Sequence, residues 1–273
     1  MSTKPIILLP NSARCFSLGA AIITFLIFSF TALPTAKAQS NRFEAGVAAK
    51  ERGQYLTAIR SWLPLAEDGM ADAQVNLGHM YNEGFGVDRD LSTALYWYER
   101  AAESGLGEAK YNLGLLYFNG DGVPKDLVTA ITLFREAEEQ NIQEASYMLG
   151  VAALSGDGVP IDKTEARERF ERAALAGIPE AQLAYASVAQ SGEGGEPVSS
   201  GFFGLFGSNK PPEGRPVVAY VWARLAQING LTAPELTQVL EVAEIMLTTS
   251  KEEAEGIITT CLASELSNCP TAD

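Results

Sequence analysis

Small and apolar residues return along this chain at intervals of three and four, and the stripes they draw come in pairs. Between Ala71 and Gly105 one stripe runs through Ala73, Leu77 and Tyr81, and a second through Ala94, Tyr98 and Ala101. Each has the period of a helix with one buried face, so the stretch predicts two helices. The polar gap between them, "NEGFGVDRD", holds Gly84 and Gly86 where a tight helix-to-helix turn needs positive φ. It ends in Asp90, a residue able to cap the second helix.

The pair repeats. Segments beginning at Ala71, Gly107 and Gln143 align without a gap over 36 residues each. Leu77-Gly78 returns as Leu113-Gly114 and Leu149-Gly150, and Gly84 and Gly86 return as Gly120 and Gly122, then Gly156 and Gly158. Asp90 matches Asp126 and Asp162, and Tyr98 matches Phe134 and Phe170. A fourth copy starts at Pro179 in the same register. It restores the pattern only when 17 residues are skipped, which sets Ala219, Trp222 and Ala226 on the sites of Ala94, Trp97 and Ala101. A leading unit before Ala71 has the same grammar with a shorter loop. The predicted organisation is a leading unit at 43–70, then units at 71–106, 107–142, 143–178 and 179–231, and a helical cap at 232–273. In the cap, one helix opens with Pro234 and another with a capping box from Ser250 to Glu253; a closing unit of this kind stops open-ended stacking. Every strong period is near 3.6, so the expected class is all-α without a sheet.

The run Ala-x3-Leu-Gly-x2-Tyr, Gly-x-Gly-Val, Asp-x3-Ala-x2-Trp-Tyr and Ala-Ala-x2-Gly, as it stands from Ala73 to Gly105, resembles a Sel1-like repeat, a relative of the tetratricopeptide repeat. The resemblance covers about Phe43 to Leu231 and implies a right-handed α/α-solenoid whose concave face binds other proteins. Members are known as adaptors in envelope biogenesis, exopolysaccharide export, host interaction and signalling. By analogy, the concave face uses the residues three before, one after and four after each Leu-Gly glycine. These are Val75, His79 and Asn82; Tyr111, Leu115 and Phe118; Tyr147, Val151 and Leu154. Core and groove are both open for the tyrosines, while Leu115 and Phe118 are expected in the groove. Asp72, Glu108, Glu144 and Glu180 also recur at this spacing, either as an acidic ladder or as complements to helix N-termini. One cysteine-rich branch of the family is described as penicillin-binding with weak β-lactamase activity. It carries a cysteine pair in each repeat, which this chain lacks.

Charge and the two ends refine the picture. Residues 1–38 carry only Lys4, Arg14 and Lys37 as charges, around the apolar run "CFSLGAAIITFLIFSFTALP" and before the small-x-small site Ala36-Lys37-Ala38. That order predicts a secretory signal cleaved before Gln39, with an uncleaved anchor as the rival. Cleavage takes the formal charge from −14 to −17, since three basic and no acidic residues leave. Nucleic acid and anionic lipid are therefore poor partners, and no stable membrane anchor is expected after cleavage. The mature chain keeps Cys261 and Cys269, which are predicted to pair in an oxidising compartment; two free thiols are the alternative.

Little points to chemistry. His79 is the single histidine, without a serine motif or a second base beside it. "DRDLSTALYWYE" offers calcium-loop offsets but has Thr93 where the loop needs glycine. No cofactor is expected. The insertion "VSSGFFGLFGSNKPPEG" exposes Phe202, Phe203, Leu205 and Phe206 unless they fold back as a latch or anchor a partner. The expected function is a periplasmic or secreted adaptor that binds a polypeptide, with envelope or exopolysaccharide assembly as its setting. The alternative is a hydrolase of cell wall or β-lactam.

Overall fold

A computed structural model describes residues 36–191, 216–247 and 251–270, and among these every regular element is helical. Helix α1 spans residues 36–51. It is followed by α2 (Tyr55–Glu67), α3 (Ala71–Glu83), α4 (Leu91–Glu103), α5 (Gly107–Asn119), α6 (Leu127–Glu138) and α7 (Gln143–Ser155). Then come α8 (Lys163–Leu175), α9 (Pro179–Ser191), α10 (Pro216–Ile228), α11 (Pro234–Met246) and α12 (Lys251–Ala263). Helices α3, α5, α7 and α9 each pack on the even helix that follows and on the one before, and α11 and α12 both pack on α10, so the described residues form an α/α-solenoid of helix pairs closed by α11 and α12. Signal residues 1–35, the loop with Phe202, Phe203, Leu205 and Phe206, and the cap residue Ser250 lie outside the described residues.

Within a pair, glycine meets a ring. A Cβ on Gly78 would come within 2.4 Å of the Tyr98 ring, one on Gly114 within 2.7 Å of Phe134, and one on Gly150 within 2.8 Å of Phe170. The leading unit does the same with Gly46 under Trp62, at 2.3 Å. Missing side chains on the first helix thus leave the room that the aromatic side chain of the second occupies. Alanines at 58, 94, 130, 166 and 219, all fully buried, keep the rest of the contact short. The fourth unit departs, with Ala186 at the glycine register and Ala223 at the ring register. Both are fully buried.

The loops serve the next level of packing. Gly120, at φ 81°, ends α5 in a left-handed turn, and Gly122 lies against the preceding unit. A Cβ on Gly122 would stand 2.7 Å from Leu91 Cβ, at the first residue of α4. Gly158 has the same relation to Leu127, and Gly86 to Tyr55. The loop's aspartate works twice. Asp126 donates its backbone N–H to the Tyr117 carbonyl at 2.9 Å, closing the loop, while its carboxylate accepts from the N–H groups of Val128 and Thr129 at 3.1 Å and caps α6. Asp90 and Asp162 close and cap their loops likewise.

The C-terminal cap is tied down from several directions. The Trp222 indole donates to the Pro270 carbonyl at 2.8 Å, and the Tyr220 hydroxyl to Glu255 at 2.9 Å. Cys261 and Cys269 form a disulfide, with Cα atoms 4.8 Å apart. Helix α11 begins with proline as expected and covers α9, whose Gln190 is 1% exposed and donates to the Val239 carbonyl.

Replacing Gly114 with alanine forces a methyl into the Phe134 ring, a small-to-large change expected to cost about 1–3 kcal/mol. Adding Phe134→Leu should return part of that loss in urea unfolding. Strictly additive losses in the double variant would show that the two positions do not share this space.

Candidate interaction face

The sequence-derived face lies on the odd helices α3, α5 and α7. The carboxylates of Glu144 and Glu180, one and two units further along, both act on Tyr111. Lys50 on α1 likewise acts on Glu108 two units on.

The sequence-derived face divides into three kinds of position. Val75 does not belong to it: at 2% exposure it is packed with Ala94, Leu113 and Leu116 between units 1 and 2. Tyr111, Leu115 and Phe118 are half-buried, resting on the cluster around Phe134 and Leu149, with the Phe118 and Phe134 ring centroids 6.1 Å apart. Tyr147, Val151 and Leu154 sit the same way on the cluster around Phe170, with Tyr147 5.8 Å from that ring. These six side chains turn one flank to the core and the other to solvent. Burial first, and then the carboxylates nearby, push the hydroxyls of Tyr111 and Tyr147 up to about 12, so both remain neutral phenols across the physiological range. Lys125 lies over the Phe118 ring at 5.5 Å from its centroid.

Unit 1 is the polar end. Asn82, half-buried, donates to Glu83 at 2.6 Å, and its carbonyl accepts from Arg89. His79, with its side chain 32% exposed, joins three helices. Its Nδ1 shares a 3.0 Å hydrogen bond with the Tyr98 hydroxyl on α4, while Nε2 lies 3.5 Å from Asn112 and 3.6 Å from Glu108 on α5. The hydrogen bond from His79 holds the Glu108 carboxyl below its usual range, and the charges of His79 and Lys50 add to this against the opposing effect of burial. Among the described residues neither ring nitrogen is bonded to a serine, threonine or cysteine. The cluster is a joint between units 1 and 2. The sequence singled out His79 and, separately, Glu108, but not that they meet, nor the part of Tyr98 and Asn112, 19 and 33 residues away.

A second joint was invisible in the sequence. Glu138, near the end of α6, accepts from Ser146 on α7 at 2.6 Å and from Arg169 on α8 at 2.7 Å, with Arg172 at 2.8 Å. Burial would raise the Glu138 carboxyl, but the hydrogen bonds from Ser146 and Arg169 and the positive charges of Arg169 and Arg172 outweigh it and hold it low. Among the described residues no group of three or more His, Cys, Asp or Glu side chains is placed to hold a metal ion. None of the described helices is long and apolar enough to cross a membrane.

With this geometry in place, comparisons with known proteins are specific. The Sel1 repeat profile matches residues 71–106, 107–142 and 143–178. A solved structure of c5321, described as a protective antigen of uropathogenic Escherichia coli strains displaying an SLR fold, is 26% identical with a TM-score of 0.67. The alignment covers 84% of this chain and 46% of that one, so this chain spans under half the antigen's length. A Sel1 repeat protein from Oxalobacter formigenes is 23% identical with a TM-score of 0.57, over 84% of this chain and 86% of that one, and shares the fold. No curated protein matches.

Glu138→Gln is expected to lower stability at neutral pH by about 1–3 kcal/mol, because it removes the charged acceptor of Arg172 and one of the two carboxylates, with Glu165, that hold Arg169. The native pKa of Glu138 is depressed, so its contribution is present above the unfolded value and lost as pH falls through the native one. Urea midpoints of wild type and variant should therefore converge below about pH 4. A gap independent of pH would assign the loss to packing rather than to the carboxylate.

Proposed function

Since the chain carries three tandem Sel1 repeats in a solenoid, a fold commonly used to scaffold protein interactions, we propose that it is a periplasmic or secreted adaptor that binds a polypeptide on its concave face. The observation that carries this reading is the strip of half-buried apolar side chains on α5 and α7. Their inner flanks complete the core, and their outer flanks stay in water without a use in the repeat's own packing. Strips of this kind on otherwise soluble proteins mark interaction sites. The signal-like residues 1–38 and the Cys261–Cys269 disulfide support export. Assembly of the envelope or of an exopolysaccharide is the setting proposed for the adaptor.

A photo-reactive phenylalanine analogue placed at Asn82, on the inner face, should crosslink a polypeptide in the periplasmic or culture fraction. The same group at Val128, 68% exposed on the outer helix α6, should not. Equal adducts from both positions, or an adduct from Val128 alone, would remove the concave face as the binding surface. Intact mass on the native protein tests the export reading separately. The expected species begins at Gln39 and is lighter by two hydrogens than the same chain after reduction; a species retaining residues 1–38 in the membrane pellet would turn the signal into an anchor.

A further inference from the structure

The chemistry of the inner face narrows what it can hold, given the adaptor reading on which this step rests. Asp72, Glu108, Glu144 and Glu180 stand in the first turns of α3, α5, α7 and α9, one per unit at the same register. Helix dipoles account for a carboxylate at each of these N-termini. They do not supply a counter-ion. Glu108 has His79, but Asp72, Glu144 and Glu180 are exposed and make no ion pair among the described residues. Lys50 on α1 acts on Glu108, while Lys110 is paired with Glu136 at 2.8 Å, and Arg169 and Arg172 with Glu138. The negative potential extends onto the apolar strip, since Glu144 and Glu180 both help to raise Tyr111.

We propose that this face takes an extended, cationic polypeptide segment carrying Lys or Arg at every third residue, with apolar side chains between them. The positive residues would meet the carboxylates of successive inner helices, and the apolar ones would rest on Tyr111, Leu115, Phe118, Tyr147, Val151 and Leu154. The spacing takes the step from one inner helix to the next as that of packed helices, about 8–10 Å; an extended chain advances about 3.1 Å per residue in the polyproline II conformation, so one unit then spans about three residues. That conformation also has three residues per turn, which sets every third side chain on one side. An acidic segment on this face would bring like charges together beside apolar surface, where screening by water is reduced.

The test uses the mature full-length protein and three fluorescein-labelled peptides: four Lys-Leu-Ser triplets, an isomer of the same composition with its lysines contiguous, and four Glu-Leu-Ser triplets. Binding is followed by anisotropy at physiological ionic strength, where diffuse charge attraction is screened. The triplet peptide is expected to bind about tenfold more tightly than its isomer, and the glutamate peptide not to bind. Glu144→Gln with Glu180→Gln should erase the tenfold preference. The outer-helix pair Glu99→Gln with Glu168→Gln, an equal change of charge, should leave it intact. Equal affinity for the two lysine peptides, or equal loss in both double variants, would overturn the proposal. If the Asn82 crosslink captures a native polypeptide through an acidic segment, the cationic partner falls and the adaptor stands; if Asn82 captures nothing that Val128 does not, the adaptor reading itself falls.

Discussion

A glycine beneath an aromatic ring sets the spacing inside each helix pair from the leading unit through unit 3, and the rest of the solenoid is arranged around that spacing. Glycine in a helix interior costs about 0.5–1 kcal/mol against alanine. Full burial of a phenylalanine-sized side chain is worth about 1.5–3 kcal/mol, so the exchange is favourable. It also fixes geometry, because Tyr98, Phe134 and Phe170 each sit over one glycine of the partner helix, too close for a Cβ there. The fourth unit supports this from the opposite direction. Where the glycine register gains a methyl, at Ala186, the ring register shrinks to one, at Ala223, and both stay fully buried.

With pair spacing fixed, the joints between pairs can be small. In α3, α7 and α9 the fourth residue reaches back to the outer helix before it: Gln74 donates to the Ala66 carbonyl, Ser146 to Glu138, and Gln182 to the Ala174 carbonyl. Gln74, Ser146 and Gln182 are buried, so these polar atoms are satisfied across the joint rather than by water. The loop glycines bring the turn of one unit onto the first residue of the outer helix of the unit before. Because ring, alanine rows and joints already account for the interior, the larger inner-face side chains are only half consumed by packing. That leaves an apolar strip, with carboxylates along its edge, in contact with solvent.

The helical period, the glycine turns and the aspartate caps were legible because each is a local property or a copy of one. Asp126 announces α6 within three residues, and Gly120 ends α5 by its own backbone angle. The double duty of Gly122 was not legible: its positive φ is written in the residue type, but its contact with Leu91 belongs to another unit. Val75 was misplaced for a related reason. The analogy put it on the groove, whereas the neighbouring unit covers it, and a valine at the register of Tyr111 and Tyr147 is short enough to be sealed completely. The polar joints at His79 and Glu138 join residues up to 34 positions apart, and no motif marks them. The face is thus readable as a set of registers. Which registers face water depends on side-chain length at each one.

The covering of α9 by α11 makes the two ends of the inner-helix row unlike. Ser187 and Gln190 occupy the registers that His79 and Asn82 hold in unit 1, yet both are sealed, the second against Val239. Along the row of inner helices these two registers are therefore part-exposed in unit 1 and closed in unit 4. A segment bound along the row, as proposed above, would have to end at the fourth unit or turn out sideways there. For such a segment the fourth unit would be the fixed zero of a ruler whose divisions are whole units.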